Sequence, residues 1–476
     1  MSNYNILSAL NKDRVFILQK NELEKRFDPL YYASNAFGFL KTTNYQVKSI
    51  REVIDYSVSG FGVGREEQDL TEKGYIQIRP TNLDEFGNLK FDRNIYLGNE
   101  YLEKKKSNII QKKDILFNNT NSQELVGKTA FFDLDGTYFH SNHITRIKVD
   151  ESYLRPKFLW ILLNLYQERN VFYTLCTNWN NQSGIGIELL NSIKIIIPSF
   201  EIQDKVISIK ENSIRQKRQN EAEAERLLAT IDDYLLKELG ITLPVPPENT
   251  LNDRIFTTTL KEISGGRFDS NYYHNYHKNN FISFRKSTYK TNTLKEIAEN
   301  IFQGVGRNID EKSNFVLLKV KNIKQNYEID YEDTEKIGDF PLSKLLKQGD
   351  IITPCIGEAV RQIKFAVFEK ENEKYLVDNN TGVIRLNKNV NSYFANYCLC
   401  SSIGRLQINR FIGGGGVPFL GSDNLKRFII PVPPLDKQKE IADHITGIRK
   451  QAQQLKEKTK EALSKASQEI EKILLA

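Results

Sequence analysis

The chain has 476 residues, which is enough for two or three domains with buried cores, and its formal charge of +7 permits a polyanionic partner without requiring one. Its four cysteines share no Cys-x-x-Cys spacing, which argues against a disulfide framework or a zinc knuckle. The apolar run at residues 158–163 is too short to span a membrane, and residues 1–20 lack a signal-peptide core, so we expect a soluble cytoplasmic protein.

In chain order, landmarks of the N-terminal half recur in the C-terminal half. The pairs are RFDPLYY (26–32) with RFDSNYY (267–273), GVGR (62–65) with GVGR (304–307), YIQIRPTNL (75–83) with FVLLKVKNI (315–323), DIL (114–116) with DII (350–352), and PSFEIQDKV (198–206) with PPLDKQKEI (433–441). The separation between partners changes by only a few residues from the first pair to the last. We therefore predict one duplicated domain of mixed α/β (α+β) type, with strands and short helices in each half.

Each half is predicted to end in a long amphipathic helix, at residues 200–239 and 435–476. Apolar or small residues recur there at alternating spacings of three and four, which is a heptad seam. The seam comprises Val206, Ala224, Leu227, Ile231, Leu235, Ile441, Ile445, Ile448, Leu455, Ala462, Ala466 and Ile470. Neither helix can hide its stripe alone, so we expect the two seams to pack against each other.

The predicted organisation is domain, helix, domain, helix. The ranges are 1–198 for the first domain, 199–240 for the first helix, 241–253 for a Pro-rich linker, 254–432 for the second domain and 433–476 for the second helix. Gly240 and the prolines that follow it stop the first helix and stiffen the linker.

The strongest catalytic signal is FFDLDGT at residues 131–137, which resembles the nucleophile motif of haloacid-dehalogenase phosphatases around Asp133. The repeated stretch in the second half lacks both aspartates, and Asp135-Gly136 is a favoured hairpin turn. We therefore interpret this stretch as a hairpin.

A methyltransferase reading rests on DPLY (28–31) and FGVG (61–64). The second proline of the Asp-Pro-Pro-Tyr motif is missing, and no strand with an acidic residue at its end follows the glycines at the distance found in a dinucleotide fold, so both are interpreted as structural turns. His140, His143, His274 and His277 have no partner ligand at metal spacing, and we expect surface histidines. The sequence predicts no catalytic residue and no metal site.

Cations on the glycine loops and on the strands that follow them are candidate DNA ligands. They are Arg65, Arg79, Arg307, Lys319 and Lys321. Guanidinium and ammonium groups beside backbone amides can bind phosphates or guanine edges. Solvated loop charge is the alternative for any one of them, and their recurrence in both halves favours a shared role.

Taken together, the duplicated order resembles a specificity (S) subunit of a type I restriction-modification system. The resemblance rests on the Arg-Phe-Asp motif at Arg26 and Arg267, the glycine loops, the strands after Asp114 and Asp350, and the Ile-Pro-x-x-x-x-Gln turn into each long helix. It implies that each half reads one part of a split, asymmetric sequence in double-stranded DNA, with the two helices packed as an antiparallel coiled-coil spacer.

The resemblance further implies a non-catalytic reader that scaffolds two modification (methyltransferase) subunits and the restriction/translocase subunits. S-adenosylmethionine, ATP and Mg²⁺ would then be cofactors of those partners, with none held by this chain. Three alternatives stay open. They are the recognition subunit of a type II-like system whose partner fuses nuclease and methyltransferase, a phosphatase acting through Asp133, and a coiled-coil interaction protein with no nucleic-acid role.

Overall fold

The computed structural model describes residues 40, 43–84, 86–179, 182–248, 250–263, 267–324, 327–338, 340–371, 374–413 and 416–475. The predicted motifs at 26–32 and 28–31 lie outside these residues. The chain divides into two compact units. The first consists of residues 1–219 with 458–476, and the second of residues 220–457.

The first unit contains twelve short strands among the residues that the structure describes. They are β1 (Gln46–Ser49), β2 (Ile54–Ser59), β3 (Tyr75–Ile78), β4 (Tyr96–Leu97), β5 (Ile115–Asn118), β6 (Thr120–Asn121), β7 (Thr129–Phe131), β8 (Tyr138–His140), β9 (Ile144–Val149), β10 (Thr177–Trp179), β11 (Gln182–Gly184) and β12 (Lys194–Ile197). Its helices are α1 (Tyr101–Lys104), α2 (Pro156–Glu168), α3 (Val171–Leu175), α4 (Ile187–Ser192) and the first half of α5 (Phe200–Leu239). Its 3-10 turns are Ile50–Val53, Arg65–Glu67, Pro80–Asn82 and Lys106–Asn108.

The second unit has the strands β13 (Thr291–Thr293), β14 (Ala298–Gln303), β15 (Val316–Leu318), β16 (Glu335–Lys336), β17 (Ile351–Pro354), β18 (Ala366–Val367), β19 (Tyr375–Val377), β20 (Thr381–Leu386) and β21 (Ile429–Pro431). Its helices are α6 (Leu251–Arg254), α7 (Leu260–Ile263), α8 (Ser270–Tyr273), α9 (Asn275–Arg285), α10 (Leu294–Ile297), α11 (Ser392–Cys400), α12 (Ser402–Phe411), α13 (Ser422–Leu425) and most of α14 (Leu435–Leu475). Its 3-10 turns are Val320–Asn322, Leu342–Lys344 and Glu358–Gln362.

Three sheets have the same strand order in both units. A four-stranded sheet runs β2-β9-β5-β7 in the first and β14-β20-β17-β18 in the second, and a three-stranded sheet runs β4-β3-β8 and β16-β15-β19. The third is a two-stranded pair, β1-β12 and β13-β21. Only β3 with β8 and β15 with β19 pair in parallel among these described strands. This shared order, down to the parallel pair, confirms the predicted mixed α/β duplication.

The central strand β5 is buried on both faces. Ile115 and Phe117 pack with α2 in one hydrophobic cluster, whereas Leu116 packs with Ile78 in another. Side chains alternate along a strand, so consecutive apolar residues of one strand enter two cores. In the equivalent β17, Ile351 and Ile352 are likewise divided between two clusters.

Both long helices contribute to the core of each unit. In the first unit Val206 of α5 lies in the same cluster as Ile470 and Leu474 of α14. In the second unit Leu235 and Leu239 of α5 share a cluster with Ile441 and Ile445 of α14.

Every predicted seam residue is at least partly buried. The buried ones are Val206, Ala224, Leu235, Ile441, Ile445, Ala466 and Ile470. The partly buried ones are Leu227, Ile231, Ile448, Leu455 and Ala462. Among the described helices, none is both long and apolar enough to cross a membrane.

The expectation of surface histidines is wrong for His140 and His277, which are buried. His140 Nδ1 lies 3.1 Å from the Ile144 carbonyl oxygen. Burial lowers the pKa of both imidazoles to about 4, because the charged form would lose its hydration. Both are therefore neutral members of the folded core.

The predicted hairpin at residues 131–137 is also wrong, since β7 and β8 belong to different sheets. The stretch is a connection in which Gly136 has a φ of 106°, a conformation that glycine adopts readily. Asp133 and Asp135 are exposed, and Asp135 pairs with Lys112 at 2.7 Å. These carboxylates therefore stand in solvent rather than in a pocket.

Candidate nucleic-acid interface

Four loops of the first unit meet at one end of its four-stranded sheet, and we call this set the loop end. It comprises residues 60–64 after β2, 119–121 after β5, 141–143 before β9, and the described residues of the β10–β11 hairpin. The Gly60 amide donates to the Ile144 carbonyl, and the Ile185 amide to the Asn119 carbonyl. Backbone hydrogen bonds thus hold the four loops together.

Asn119 fixes the centre of this surface. Its side chain is almost fully buried, and its Nδ2 donates to Thr145 Oγ1 at 2.9 Å and to the Asn142 carbonyl at 3.2 Å. A buried amide must find such partners, so its orientation is set by the strands around it. The neighbouring side chains can then point outward from a fixed base.

The second unit builds an equivalent loop end from residues 304–307, 355–357, 378–380 and 413–419, of which 414 and 415 are not described. Gly304 donates to the Thr381 carbonyl, Cys355 to the Asn380 carbonyl, and Leu420 to the Cys355 carbonyl. The backbone frame of the two loop ends is therefore the same.

The strand registers correct the predicted pairing of the glycine loops. Phe61 bridges Ser141 in parallel and Val305 bridges Asp378 in parallel, so Gly60 corresponds to Gly304. A Cβ at Gly60 would lie 1.9 Å from the His140 carbonyl oxygen, and one at Gly304 would lie 2.2 Å from the Val377 carbonyl oxygen. Both glycines are needed where the loop crosses the neighbouring strand.

Arg65 and Arg307 are consequently not equivalent residues, although GVGR stands at both. The next equivalent residues along the two units are Asp69 and Asp310. The Asp69 amide donates to the Tyr96 carbonyl, and the Asp310 amide donates to the Lys336 carbonyl in the same way. The intervening segment is longer in the first unit, where it runs over 62–68, than in the second, where it runs over 306–309. Arg65 is exposed in the 3-10 turn of this longer segment.

Arg79 lies beside the glycine loop. Its Nε and Nη2 each donate to Gln77 Oε1 at 3.2 Å, while Gln77 Nε2 donates to the Phe61 carbonyl at 2.9 Å. Partial burial lowers the pKa of Arg79, which nonetheless stays protonated at neutral pH. The structure therefore brings Arg79 to the loop end and holds it there.

In the second unit two of the predicted cations converge on one carboxylate. Arg307 binds Glu335 through Nε and Nη2, both at 2.8 Å, and Lys319 Nζ lies 2.5 Å from the same carboxylate. These hydrogen bonds, with Lys319 first, lower the pKa of Glu335. Lys321 pairs separately with Asp333. Their charge is thus partly balanced within the unit.

Arg79 and Lys319 occupy corresponding positions. Each precedes a 3-10 turn, and its amide donates to the side-chain oxygen of Asn82 or Asn322 at 3.0 and 2.9 Å. Both asparagines are buried, and each Nδ2 donates to backbone carbonyls of the next loop, at Lys90 and at Asp330. The same device thus places a cation at the same site in both units.

Two buried ion pairs were missed from sequence. Arg146 donates to Asp114 at 3.3 Å and to the Ile109 carbonyl at 2.6 Å. Arg385 binds Asp350 at 2.8 and 2.7 Å, and also donates to the Leu345 carbonyl. Burial raises the pKa of Asp114 despite its partner. The aspartates were visible as strand starts, but their partners stand 32 and 35 residues away.

The hairpin β10–β11 was not predicted from the sequence. Trp179 is 48% exposed on it, and its cross-strand partner Gln182 is also exposed. The Asn178 side chain instead donates to Gln123 Oε1 and accepts from Ser183 Oγ. An exposed Gln amide can read an adenine edge, and an exposed indole can contact bases or sugars. The signal was the polar and aromatic run TNWNNQ at residues 177–182.

In the part of the chain that the structure describes, no group of His, Cys, Asp or Glu could hold a metal ion. What the two loop ends offer instead is hydrogen-bonding and cationic groups on rigid supports. Such surfaces bind a polyanion and read its edges.

A family model described as the type I restriction modification DNA specificity domain matches the chain twice, at residues 42–228 and 286–465. Each match contains the strands of one unit, and together they cover more than half of the chain. The chain belongs to this family. As a type I specificity subunit it recognises a DNA target through two tandem domains and is not the catalytic component.

Two relatives of this specificity subunit come from Methanocaldococcus jannaschii. The one described as the specificity subunit of type I restriction enzyme MjaX is 24% identical over 381 residues, which cover 76% of this chain and 77% of the relative. The MjaVIII specificity subunit is 27% identical over 136 residues, or 28% of this chain and 31% of the relative.

One solved structure has a similar fold, and a second is matched less well. A chain from a study of complex assembly and conformational transition of the type I R-M system matches with a TM-score of 0.50 and 13% identity, covering 90% of this chain and 96% of that one. The S subunit from M. genitalium matches at a TM-score of 0.45 and 14% identity, covering 90% and 96%. These comparisons do not support a phosphatase or a type II-like subunit.

Proposed function

We propose that each unit of this specificity subunit reads one half of a bipartite, asymmetric DNA target through its loop end. The observation that carries this proposal is that one backbone frame presents different side chains in the two units. The first unit offers Trp179 and Gln182, and the second offers Arg307, whereas the cations Arg79 and Lys319 are common to both frames. Equal frames with unequal surfaces suit two different half-sites.

We assign the predicted cations mainly to the DNA backbone. Arg65 and Arg79 would bind phosphates beside the first half-site, and Arg307, Lys319 and Lys321 beside the second. The carboxylates of Glu335 and Asp333 compete for the latter three, so phosphate must displace an internal ion pair there. Binding at the second half-site should therefore depend less steeply on salt.

We further propose that α5 and α14 pair as an antiparallel coiled coil, which sets the spacing between half-sites. Val206 on α5 shares a cluster with Ile470 on α14, and Leu235 on α5 shares one with Ile441. The interval from Val206 to Leu235 equals the interval from Ile441 to Ile470, and the two pairs follow opposite orders along their helices. An equal advance in opposite directions is expected of antiparallel helices in one register.

Contacts in the second unit support the helix pairing. The rings of Tyr234 and His444 lie 4.1 Å apart, and Lys437 pairs with Glu238 at 2.7 Å.

The proposed division keeps residues 1–198 and 254–432 as recognition domains, 199–240 and 433–476 as spacer helices, and 241–253 as the linker.

In this proposal the subunit works in the bacterial cytoplasm. Its partners there are double-stranded DNA, two modification subunits that methylate adenine, and the restriction/translocase subunits. Membership of the family and the likeness to a chain from a type I assembly support this arrangement. S-adenosylmethionine, ATP and Mg²⁺ would act in the partners.

Methylome sequencing tests the half-site assignment. A host expressing the complete system should show a methylated motif with two defined parts separated by a fixed number of unspecified bases. Replacing Trp179 and Gln182 by alanine should relax or abolish only one part of that motif. Tyr153→Ala is the matched control, because Tyr153 is an exposed aromatic residue beyond the far end of β9. A continuous motif, or a change in both parts, would contradict the proposal.

A further inference from the structure

A cleft in the second unit collects positive charge away from the loop end. It encloses about 750 Å³ and runs beside the first four residues of β14, whereas the loop end follows the last residue of that strand. Its basic lining residues are Arg285, Lys295, Arg410, Lys426 and Arg427. Its acidic lining residues are Glu299 and Asp423.

Two of the cations, Arg410 and Arg427, are arranged around aromatic rings. The Arg410 guanidinium lies 4.8 Å from the ring centre of Tyr272 and 4.4 Å from that of Phe281. Arg427 lies 5.3 Å from the same tyrosine ring, and its Nη2 donates to the Tyr272 hydroxyl. Stacking fixes the planes of the guanidinium groups, which leaves forked donors along their edges.

The positive charge of the cleft is largely uncompensated. Asp423 pairs with Lys426 at 2.8 Å. Within the described residues, no carboxylate forms an ion pair with Arg285, Arg410 or Arg427. Arg410 Nε is buried without a hydrogen-bond acceptor there. Burial first, and then the charges of Arg427 and Arg285, lower the pKa of Arg410.

At one matched position the described residues of the two units differ in charge balance. Arg51, which matches Lys295 on the corresponding capped turn, pairs with Glu188 at 2.6 Å. Glu52 of the same turn lies 3.9 Å from Lys194 Nζ. The charge of this turn is therefore balanced in the first unit, whereas in the second unit Lys295 adds to the positive charge of the cleft.

We propose that this cleft binds phosphate groups. Like charges held together are costly unless an anion joins them, and a buried guanidinium N–H without an acceptor adds to that cost. A phosphate offers several oxygens in different directions, which suits guanidinium groups that converge from α9, α12 and the segment after α13. The phosphates come either from duplex DNA outside the half-site or from a free phosphate ester.

The test uses the full chain, inorganic pyrophosphate and a duplex of arbitrary sequence. Arg285 and Arg427 are exposed, so the double variant Arg285→Gln/Arg427→Gln should fold. Its affinity for pyrophosphate, measured by calorimetry, should fall about ten-fold or more, because each charge-assisted hydrogen bond contributes roughly a factor of ten. Arg51→Gln/Arg361→Gln is the matched control, since it removes two exposed arginines elsewhere.

The duplex distinguishes the two sources. If the phosphates belong to DNA, pyrophosphate competes with the duplex and the double variant has a shallower salt dependence, by about two phosphate contacts. If they belong to a free ester, pyrophosphate binding is lost while duplex binding is unchanged.

The proposal is overturned if pyrophosphate binds the wild type and the double variant equally, or binds neither. It is also overturned if hexaglutamate binds the cleft in place of pyrophosphate. None of these outcomes bears on the methylated motif, so the half-site assignment stands or fails separately.

Discussion

Gln203 and Gln438 make the same three side-chain hydrogen bonds, one residue in each copy of the repeat. Each Nε2 donates to the carbonyl of the proline that precedes its helix and to a carbonyl of the loop before α2 or α11. Each Oε1 accepts the amide of Arg155 or Asn391 at 2.8 Å. This is the physical reason for the Pro-x-x-x-x-Gln turn that the two copies share, because the glutamine ties the long helix to its recognition domain.

Replacing either glutamine by leucine should destabilise its unit by about 2–3 kcal/mol. The substitution leaves one buried proline carbonyl and two partly buried backbone groups without partners, while the side-chain volume stays similar. Urea denaturation checks this loss. Gln451→Leu, at an exposed position of α14, should change stability by less than about 0.5 kcal/mol. If Gln451→Leu costs as much stability as Gln203→Leu or Gln438→Leu, the glutamine side chains do not tie the helices to the domains.

Breaking the buried pair of Asp350 and Arg385 should cost about 3–5 kcal/mol. Arg385→Met leaves the Asp350 carboxylate, whose side chain is 1% exposed, without its counter-charge. The double variant Asp350→Asn/Arg385→Met should lose less than the sum of the single losses, as measured by denaturation. Arg361→Met breaks the exposed pair with Glu358 and should cost about 1 kcal/mol or less. If the double variant loses as much stability as the two single variants combined, Asp350 and Arg385 do not stabilise each other.

Glu335→Gln should strengthen binding to duplex DNA. The carboxylate holds both Arg307 and Lys319, and its loss frees the two cations for phosphates. Fluorescence anisotropy should show higher affinity and a salt dependence steeper by about one to two phosphate contacts. Glu311→Gln makes the same change in net charge at an exposed residue of the same unit. The prediction fails if both variants gain equally.

Acid should destabilise the protein through His140 before most carboxylates titrate. Its folded pKa of about 4 lies below the ordinary 6.5, so only the unfolded chain gains a proton between these values. Stability from this group is complete above pH 6.5 and falls as the pH drops toward 4, by about 3 kcal/mol at most. The urea midpoint of His140→Gln should vary less over this window than that of the wild type. Identical pH profiles would show that His140 is not responsible.

The duplication and the two helices were predictable because they depend on periodicity, which a sequence displays directly. Aspartates such as Asp114 were also visible, since they open apolar strands. The partner Arg146 was not, because its distance along the chain carries no regular signal. The glycine pairing failed because both Gly60 and Gly62 suit the motif, and only the bridge from Phe61 to Ser141 decides between them.

The burial of polar residues was also not predictable from the sequence. His140 and Asn119 have no pattern that separates them from loop residues, and their positions follow from the strands that surround them. The hairpin bearing Trp179 was missed for a related reason. Its alternation is too short to distinguish a strand from a polar loop, and its pairing partner β6 belongs to a much earlier part of the chain.

The first unit closes its core with residues that are synthesised last among those described. The Tyr45 hydroxyl donates to the Ile473 carbonyl across 428 residues of chain, and Val206 shares its cluster with Ile470. A nascent chain must therefore carry this half-finished domain on the ribosome until the whole second domain has emerged. Contacts of such long sequence separation slow folding, so chaperone dependence during translation is the expected consequence.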